Sequence, residues 1–213
     1  MVLKYLMNQI NSKAPVIAWS SSIKFYILKF YYLFLNNKMS FIKTKLSAND
    51  KTMLKELYEE LEKITIPTTY RVKGVGNNHS IKTGTTNQKD ARQACFGKVT
   101  YKGEIQVSSC AKKYPHIMPL FKDFIDSHYP DFKFNSVYVN KNTICKKHLD
   151  SKNTGESILV GFGPYTGGKT TLYIDDKPKS FHIKTNSLIF NGSEIPHESE
   201  SFKGTRYSLV FFK

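Results

Sequence analysis

The sequence predicts an α+β domain in which helices brace a β-sandwich or barrel. Two stretches before Pro130 carry apolar side chains at three- and four-residue steps, as amphipathic helices do. Beyond Pro130 the pattern changes to short β-type runs separated by Gly, Pro, Asn and Asp. Helices ahead of a strand-rich half suit a fold in which the helices cover one face of a sheet. The predicted strands are 133–140, 157–162, 170–174, 180–183, 187–191 and 207–212.

The two predicted helices have clear limits. The first spans 49–64, with Asn49 or Asp50 as its N-cap. The second follows Pro115 and ends before Pro130, because proline does not fit a helix interior. The apolar stripes of both helices are expected to face the core rather than a binding groove.

The chain is strongly basic. Over 213 residues, 32 Lys and Arg against 17 Asp and Glu give a formal charge of +15. Such a surface attracts polyanions, so a nucleic acid, DNA or RNA, is the expected partner, and no stable protein partner is implied. Codon bias is the other explanation, since Lys, Asn and Ile are all abundant. The stretch 73–90 is predicted to be a mobile basic loop.

The three cysteines indicate a reducing environment. Cys95, Cys110 and Cys145 fit neither a disulfide framework nor the spacing of a zinc site. We therefore expect an intracellular location, in the cytoplasm or the nucleus. Cys145 lies near a histidine, but a small buried hydrophobic residue is the preferred interpretation.

Residues 1–46 form a predicted N-terminal extension, distinct from a main domain at 47–213. The extension contains no acidic residue, and its apolar, aromatic run 16–35 is interrupted by two lysines. We rank a disordered or non-native extension first, a membrane-surface helix second and a membrane anchor third, because lysines are costly at the bilayer centre. Met39, which opens a more ordinary sequence, supports the first interpretation.

A potential metal site lies in the strand-rich half. On an extended chain His148 and Asp150 face the same side, so both can bind one cation. A third ligand from elsewhere, His197, would complete a two-histidine, one-carboxylate triad, which is typical of non-heme Fe(II) oxygenases. His182 is the competing third ligand, and a solvated His with a turn Asp is the alternative without a metal. His79, His116 and His128 are expected on loops or helix surfaces.

A potential anion site opens the last predicted strand. Arg206 and Ser208 are two residues apart and therefore face the same side of that strand. A guanidinium binds a carboxylate through two parallel hydrogen bonds, and a hydroxyl adds one more. The alternative is a structural ion pair of Arg206 with Glu194 or Glu198.

The order of these residues resembles that of the 2-oxoglutarate/Fe(II) dioxygenase superfamily. His-x-Asp, a distal His and Arg-x-Ser at the last strand occur in this order within 135–213. The resemblance implies a double-stranded β-helix (jelly-roll) core at about 133–213, braced by N-terminal helices. It implies Fe(II) and 2-oxoglutarate as cofactors, with O2 as cosubstrate. The implied roles are metal ligands for His148, Asp150 and His197, and cosubstrate contacts for Arg206 and Ser208.

Three further stretches are similar to nucleic-acid oxygenases. The stretch 134–140 looks like the strand before His-x-Asp in AlkB-type dealkylases, which makes Asn140 a cosubstrate contact or, equally, a structural strand-end residue. The stretch 92–97 resembles the nucleotide-recognition part of that group. The stretch 161–168 is similar to the double-glycine turn of many members, including TET/JBP-like base hydroxylases. The chain has Asn142 where AlkB-type enzymes have tyrosine. By this resemblance, the substrate contacts are Arg92 and Phe96.

The leading functional hypothesis is oxidation of a C–H bond in a methyl or alkyl group on a nucleobase of DNA or RNA. An enzyme of this kind has to flip the base into its pocket, so aromatic and basic residues should surround the site. The second hypothesis is a protein side-chain hydroxylase of the prolyl or lysyl type. The third is a non-catalytic, basic nucleic-acid-binding domain.

Overall fold

The computed structural model describes residues 41–68, 81–83, 91–150 and 153–213. Within them the chain forms helices α1 (Ala48–Glu62), α2 (Ser109–Lys113) and α3 (Ile117–His128). The strands are β1 (Phe41–Lys45), β2 (Ile81–Thr83), β3 (Arg92–Tyr101), β4 (Glu104–Val107), β5 (Ser136–Lys141), β6 (Thr143–Cys145), β7 (Ser157–Phe162), β8 (Tyr165–Gly167), β9 (Thr170–Ile174), β10 (Lys177–Phe181), β11 (Asn186–Phe190), β12 (His197–Ser199), β13 (Phe202–Gly204) and β14 (Tyr207–Phe212). The run 16–35, His79 and all of the stretch 73–90 except β2 lie outside the described residues.

Helix α1 begins with a capping box. The Ser47 hydroxyl accepts from the backbone N–H of Asp50 at 3.0 Å, and the Asp50 carboxylate accepts from the backbone N–H of Ser47 at 2.7 Å. The helix prediction for 49–64 is confirmed to within two residues at each end, and the second predicted helix corresponds to α3. No helix in the described parts of the chain is long and apolar enough to cross a membrane.

Two antiparallel sheets hold most of the described strands, and two further two-stranded sheets pair β13 with β8 and β2 with β6. The large sheet has seven strands in the order β1-β11-β7-β14-β5-β3-β4, and a small sheet has the order β10-β9-β12. Leu159 and Leu188 of the large sheet pack with Leu172 and Ile174 of the small sheet in a shared apolar cluster. The predicted α+β class, with helices bracing a two-layered β core, is confirmed.

Alternation along the strands gives the large sheet two different faces. One face packs against α1 and α3 in the main core, where Val137, Leu209 and Phe211 are completely buried. Their neighbours Tyr138 and Ser208 project from the opposite face, which lines a cavity. Whether a side chain faces the helices or the cavity therefore depends on its place in the alternating pattern of the strand.

Two parts of the large sheet were not anticipated. Strand β1, whose residues lie inside the predicted extension 1–46, pairs with β11, so the folded sheet includes residues before 47. The hairpin of β3 and β4 turns at Lys102 and Gly103, which have φ of 51° and 87°. A two-residue hairpin turn needs positive φ at such positions, which Gly103 accepts without strain.

Candidate metal centre and anion pocket

The first candidate site lies between the end of β6 and the start of β12, two strands that belong to different small sheets. His148 and Asp150 follow β6, and His197 opens β12. The backbone N–H groups of His148 and His197 each donate to the other's carbonyl oxygen at 3.0 Å. The N–H of Asp150 donates to the carbonyl oxygen of Gly192 at 2.8 Å. These three bonds bring residues that are distant in sequence onto one backbone scaffold.

The three side chains converge on one point. Nε2 of His148 lies 3.5 Å from Asp150 Oδ1, and Nε2 of His197 lies 3.6 Å from Asp150 Oδ2. Two ligands that flank a metal at about 2.1 Å are roughly 3 Å apart, so this spacing suits a shared cation. Among the residues that the structure describes, this is the group of His, Cys, Asp and Glu side chains that could hold a metal, with ligand atoms within 4.8 Å of one another.

Backbone carbonyls orient both imidazoles. His148 Nδ1 lies 2.7 Å from the carbonyl oxygen of Lys146, and His197 Nδ1 lies 2.9 Å from that of Ile195. A carbonyl oxygen can only accept, so each Nδ1 carries the proton and donates it. Each Nε2 faces the carboxylate, and it is the nitrogen that can bind a metal once its proton is lost. The Nδ1–H bonds fix the ring orientation that a metal ligand needs.

Asp150 is held in its ionised form. Burial by itself raises the pKa of this carboxyl group, but hydrogen bonding and charge from His148 and His197 outweigh burial, and its pKa lies below the ordinary value. Gly192 lies directly against the group: a Cβ atom there would be 3.2 Å from Asp150 Oδ2 and 3.5 Å from His197 Cε1. A residue without a side chain is needed to leave the ligands in place.

Arg206 is a buried cation without a carboxylate partner. Only 2% of the residue is exposed, and no carboxylate in the described parts of the chain lies within ion-pair distance of it. One guanidinium nitrogen makes a long contact of 3.5 Å with the carbonyl oxygen of Thr143, and Nε has no hydrogen-bond partner. Burial lowers the pKa of Arg206, although the nearby Tyr165 and Cys145 oppose that shift. A buried guanidinium of this kind requires an anion.

Tyr165 is a part of this anion pocket that sequence reasoning missed. Its hydroxyl is buried and has no hydrogen-bond partner, and its ring lies 5.7 Å from the Arg206 guanidinium carbon. Burial raises the pKa of Tyr165, opposed by Arg206. The two unsatisfied donors fit a carboxylate, which is the group that 2-oxoglutarate brings. The signal in the sequence is the position of Tyr165 within the stretch 161–168, whose resemblance rests on its glycines.

Backbone and side-chain bonds fix the remaining pocket residues. The side chain of Asn142, at a φ of 53°, accepts from the backbone N–H of Arg206 at 2.9 Å, so the residue in place of the AlkB-type tyrosine anchors the strand start. Ser208 and Asn140 are buried neighbours in register across β14 and β5. Asn140 Oδ1 accepts from Gln93 Nε2 at 2.6 Å.

The alternatives for the triad and the ion pair are placed elsewhere. His182 is exposed in the turn after β10, where its carbonyl oxygen accepts from Asn186, and it is not part of the cluster. Glu198 accepts from the hydroxyl of Tyr173 at 2.6 Å, and neither it nor Glu194 forms an ion pair with Arg206.

A cavity of about 950 Å³ opens on the triad. It runs over the free face of the large sheet to the β3–β4 hairpin. Two aromatic side chains, Tyr138 and Phe212, line it as a stacked pair with ring centroids 5.6 Å apart. The basic lining residues are Lys98, Lys102 and Lys213, and the acidic ones among those described are Asp150 and Glu198.

The predicted substrate contacts Arg92 and Phe96 do not line the cavity that opens on the triad. Both lie on the opposite face of β3 from the cavity, because side chains alternate along a strand. Phe96 is completely buried in the main core, with its ring centroid 5.6 Å from that of Phe121. Arg92 donates to the carbonyl oxygen of Ala91 and lines a separate cleft. The residues of β3 that do line the cavity include Gln93 and Cys95.

Comparison with solved structures establishes the fold. An oxidoreductase of the 2OG-Fe(II) oxygenase family from Burkholderia pseudomallei is 14% identical, with a TM-score of 0.54 over 87% of this chain and 88% of that one. A prolyl hydroxylase from Trichoplax adhaerens, in complex with a hypoxia-inducible-factor peptide fragment, is 12% identical, with a TM-score of 0.51 over 92% and 94%. NgTET1 in complex with 5mC DNA is 16% identical, with a TM-score of 0.49 over 76% and 67%.

The sequence matches no family model, and no curated protein matches it significantly. At the identities of the solved structures, the likeness shows the fold alone. The chain thus has the double-stranded β-helix fold of the 2-oxoglutarate/Fe(II) oxygenases, as predicted. The activity and the substrate have to be argued from the residues of this chain.

Proposed function

We propose that this protein is an Fe(II)- and 2-oxoglutarate-dependent dioxygenase. The observation that carries the proposal is the convergence of His148, Asp150 and His197, with both Nε2 atoms directed at the carboxylate. Two imidazoles and one carboxylate on one side of an octahedral metal leave three positions open, and this donor set suits Fe(II). A closed structural zinc site would instead use four protein ligands.

The anion pocket supplies the second part of the proposal. Arg206 and Tyr165 each carry a buried polar atom without a partner, and Ser208 lies in β14 two residues after Arg206, which directly precedes that strand. These groups would hold the distal carboxylate of 2-oxoglutarate. Binding of that carboxylate satisfies the buried guanidinium, so the cosubstrate stabilises the pocket that binds it.

The chemistry belongs to the bound groups, and the protein positions them. When bound, Fe(II) and 2-oxoglutarate couple oxidative decarboxylation of the cosubstrate to oxidation of a C–H bond with O2. The chain orients each imidazole through its Nδ1–H bond and keeps Asp150 ionised. The apolar cluster around Phe190 and Leu172 closes one side of the site and limits water there.

For the substrate, we propose a methyl or alkyl group on a nucleobase in DNA or RNA. The cavity beside the triad carries Lys98, Lys102 and Lys213, which attract a phosphate backbone. The stacked pair of Tyr138 and Phe212 offers aromatic surface to a base that has left its stack. The half-buried thiols of Cys95 and Cys110 form no disulfide, which agrees with the proposed intracellular, reducing location.

A protein side-chain hydroxylase is the second candidate, and one observation favours it. The β3–β4 hairpin at the cavity exposes the apolar side chains Tyr101, Ile105 and Val107, with Ile105 as much as 72% exposed. An apolar surface beside an extended cleft suits a polypeptide chain. The same surface has no clear use for a phosphate backbone.

The test is succinate formation from 2-oxoglutarate in the presence of Fe(II) and O2, with two substrate panels. One panel contains oligonucleotides with methylated bases, and the other contains proline- and lysine-containing peptides. Stimulation by an oligonucleotide that weakens as salt is raised supports the nucleobase proposal. Stimulation by peptides alone favours the second candidate.

Asp150→Ala is the matched control for these assays. Turnover that survives this change does not use the triad, and it would contradict the proposed enzyme. Oligonucleotide binding without turnover in the wild-type protein and in Asp150→Ala alike would instead leave a non-catalytic nucleic-acid-binding domain.

A further inference from the structure

Gln93 is a buried polar residue that the proposed metal centre and anion pocket do not use directly. Only 4% of it is exposed. It lies on β3 in register with Asn140 of β5, and Asn140 is in register with Ser208 of β14. The three side chains form one polar row across three neighbouring strands, and all three line the cavity that opens on the triad.

The bond between the two amides sets the orientation of Asn140. Gln93 Nε2 donates to Asn140 Oδ1 at 2.6 Å, and the bond is buried. The oxygen and the nitrogen of a carboxamide leave the same carbon atom in different directions. With its oxygen held towards β3, Asn140 turns its NH2 group away from β3. Ser208 lies on that side.

We propose that Gln93 is a positioning residue, which holds the Asn140 amide so that its NH2 group donates to a carboxylate of 2-oxoglutarate beside Ser208. This inference rests on the proposed function. In the opposite orientation Asn140 would present its carbonyl oxygen to the anion, which is a repulsive contact. The three side chains are buried, so solvent screens the difference between the two orientations only weakly.

The hydrogen bond from Gln93 to Asn140 requires the NH2 group of the Gln93 amide. Gln93→Met keeps the length of the side chain and removes the donor, so the Asn140 amide loses the bond that orients it. Gln93→Glu keeps the shape but presents acceptors only, and it favours the wrong orientation of Asn140. Gln106 on the exposed strand β4 gives a matched control, since Gln106→Met makes the same change away from the row.

The experiment is isothermal titration calorimetry of 2-oxoglutarate into the Fe(II)-loaded protein without oxygen. Gln93→Met should weaken binding about tenfold, which corresponds to about 1.4 kcal/mol. Affinity for Fe(II) should be unchanged, because the two imidazoles keep the hydrogen bonds that orient them. Gln106→Met should bind as the wild type does. If Gln93→Met proves unstable, Gln93→Glu must weaken binding by at least as much.

A double-mutant cycle with Asn140→Leu separates positioning from a merely structural role. If Gln93 acts through Asn140, adding Gln93→Met to Asn140→Leu causes no further loss of affinity. Losses that add, or a Gln93→Met protein that binds within twofold of the wild type, overturn the inference. A wild-type protein that fails to bind 2-oxoglutarate overturns the proposed function as well, whereas normal wild-type binding with a silent Gln93→Met overturns only the role of Gln93.

Discussion

The described parts of the chain contain two histidine–aspartate clusters, and they differ in whether they face a cavity. In the first, His148, Asp150 and His197 line a cavity, and the two Nε2 atoms lie 3.5 and 3.6 Å from the Asp150 carboxylate. In the second, Asp50 Oδ2 lies 3.0 Å from His128 Nδ1, and His128 Nε2 lies 2.7 Å from the hydroxyl of Ser187.

The second cluster looks like a nucleophile, base and acid, yet it has no access to substrate. The side chains of Asp50 and His128 are 6% and 4% exposed, and Ser187 is completely buried. Both ring nitrogens of His128 are already bonded. The cluster joins the start of α1 to the end of α3 and to β11. A histidine–aspartate cluster therefore indicates a metal site here only where its side chains converge on a cavity.

The largest contrast should come from the same substitution in each cluster. Asp150→Ala should abolish iron-dependent turnover, with a loss on the order of 10³-fold or more, because a metal supplies several kcal/mol of rate enhancement. Its free energy of unfolding should change by about 1 kcal/mol or less. Succinate formation and urea unfolding measure the two effects.

Asp50→Ala should do the reverse. It removes the Asp50 half of the capping box and leaves the buried Nδ1 of His128 without its carboxylate partner, which should lower the free energy of unfolding by roughly 2–4 kcal/mol. Turnover per folded molecule should remain. A stable Asp50→Ala protein with lost turnover would break the distinction between the two clusters.

Arg206→Met should separate binding from stability. We expect affinity for 2-oxoglutarate to fall about 10²-fold, because the charge-assisted bonds to the carboxylate are lost. The cosubstrate-free protein should be as stable as the wild type or more stable, since an unpaired buried charge is removed. Thermal melting with and without 2-oxoglutarate measures both. A large loss of stability without cosubstrate would instead assign Arg206 a structural role.

Gly192→Ala should act on the metal without acting on the fold. The added Cβ would lie 3.2 Å from Asp150 Oδ2, so the carboxylate has to shift. We expect Fe(II) affinity to fall about 10- to 100-fold, as when groups that orient metal ligands are changed. Ser193→Ala is the control, because its hydroxyl bonds to Asn191 rather than to the triad. Equal losses of Fe(II) affinity in Gly192→Ala and Ser193→Ala would contradict this role of Gly192.

The smallest expected effect concerns pH and the buried cluster. Burial lowers the pKa of His128 below its ordinary value of 6.5, although Asp50 opposes the shift. Between the two pKa values the unfolded chain binds more protons than the folded protein, so stability falls as pH drops through about 6.5. The melting temperature of His128→Gln should therefore fall less than that of the wild type when the pH is lowered from 7.5 to 5.5. An identical loss in both proteins would show that His128 does not contribute.

Much of the site could be predicted because its signals are local. His148 and Asp150 are two residues apart on an extended segment, as are Arg206 and Ser208, and this spacing fixes their common side. The periods of the apolar residues likewise determine α1 and α3. Local spacing was thus enough for four of the residues that meet at the two candidate sites.

The positions that the sequence did not reveal depend on tertiary pairing. Arg92 and Phe96 were assigned to the substrate because the stretch resembles a known motif, but the register of β3 turns the odd-numbered neighbours to the cavity instead. His128 was expected on a helix surface, and only the packing of α3 on α1 buries it. Tyr165 meets Arg206 through the fold and not through any sequence spacing.

The most direct test of the central claim is an anaerobic titration of the protein with Fe(II) in the presence of 2-oxoglutarate. We predict a visible metal-to-ligand charge-transfer band that saturates at one iron per chain. The band should be absent from His148→Ala, and in Arg206→Met it should need far more 2-oxoglutarate. A folded wild-type protein without the band, or a band that persists in His148→Ala, would contradict the assignment of His148, Asp150 and His197 as the iron site.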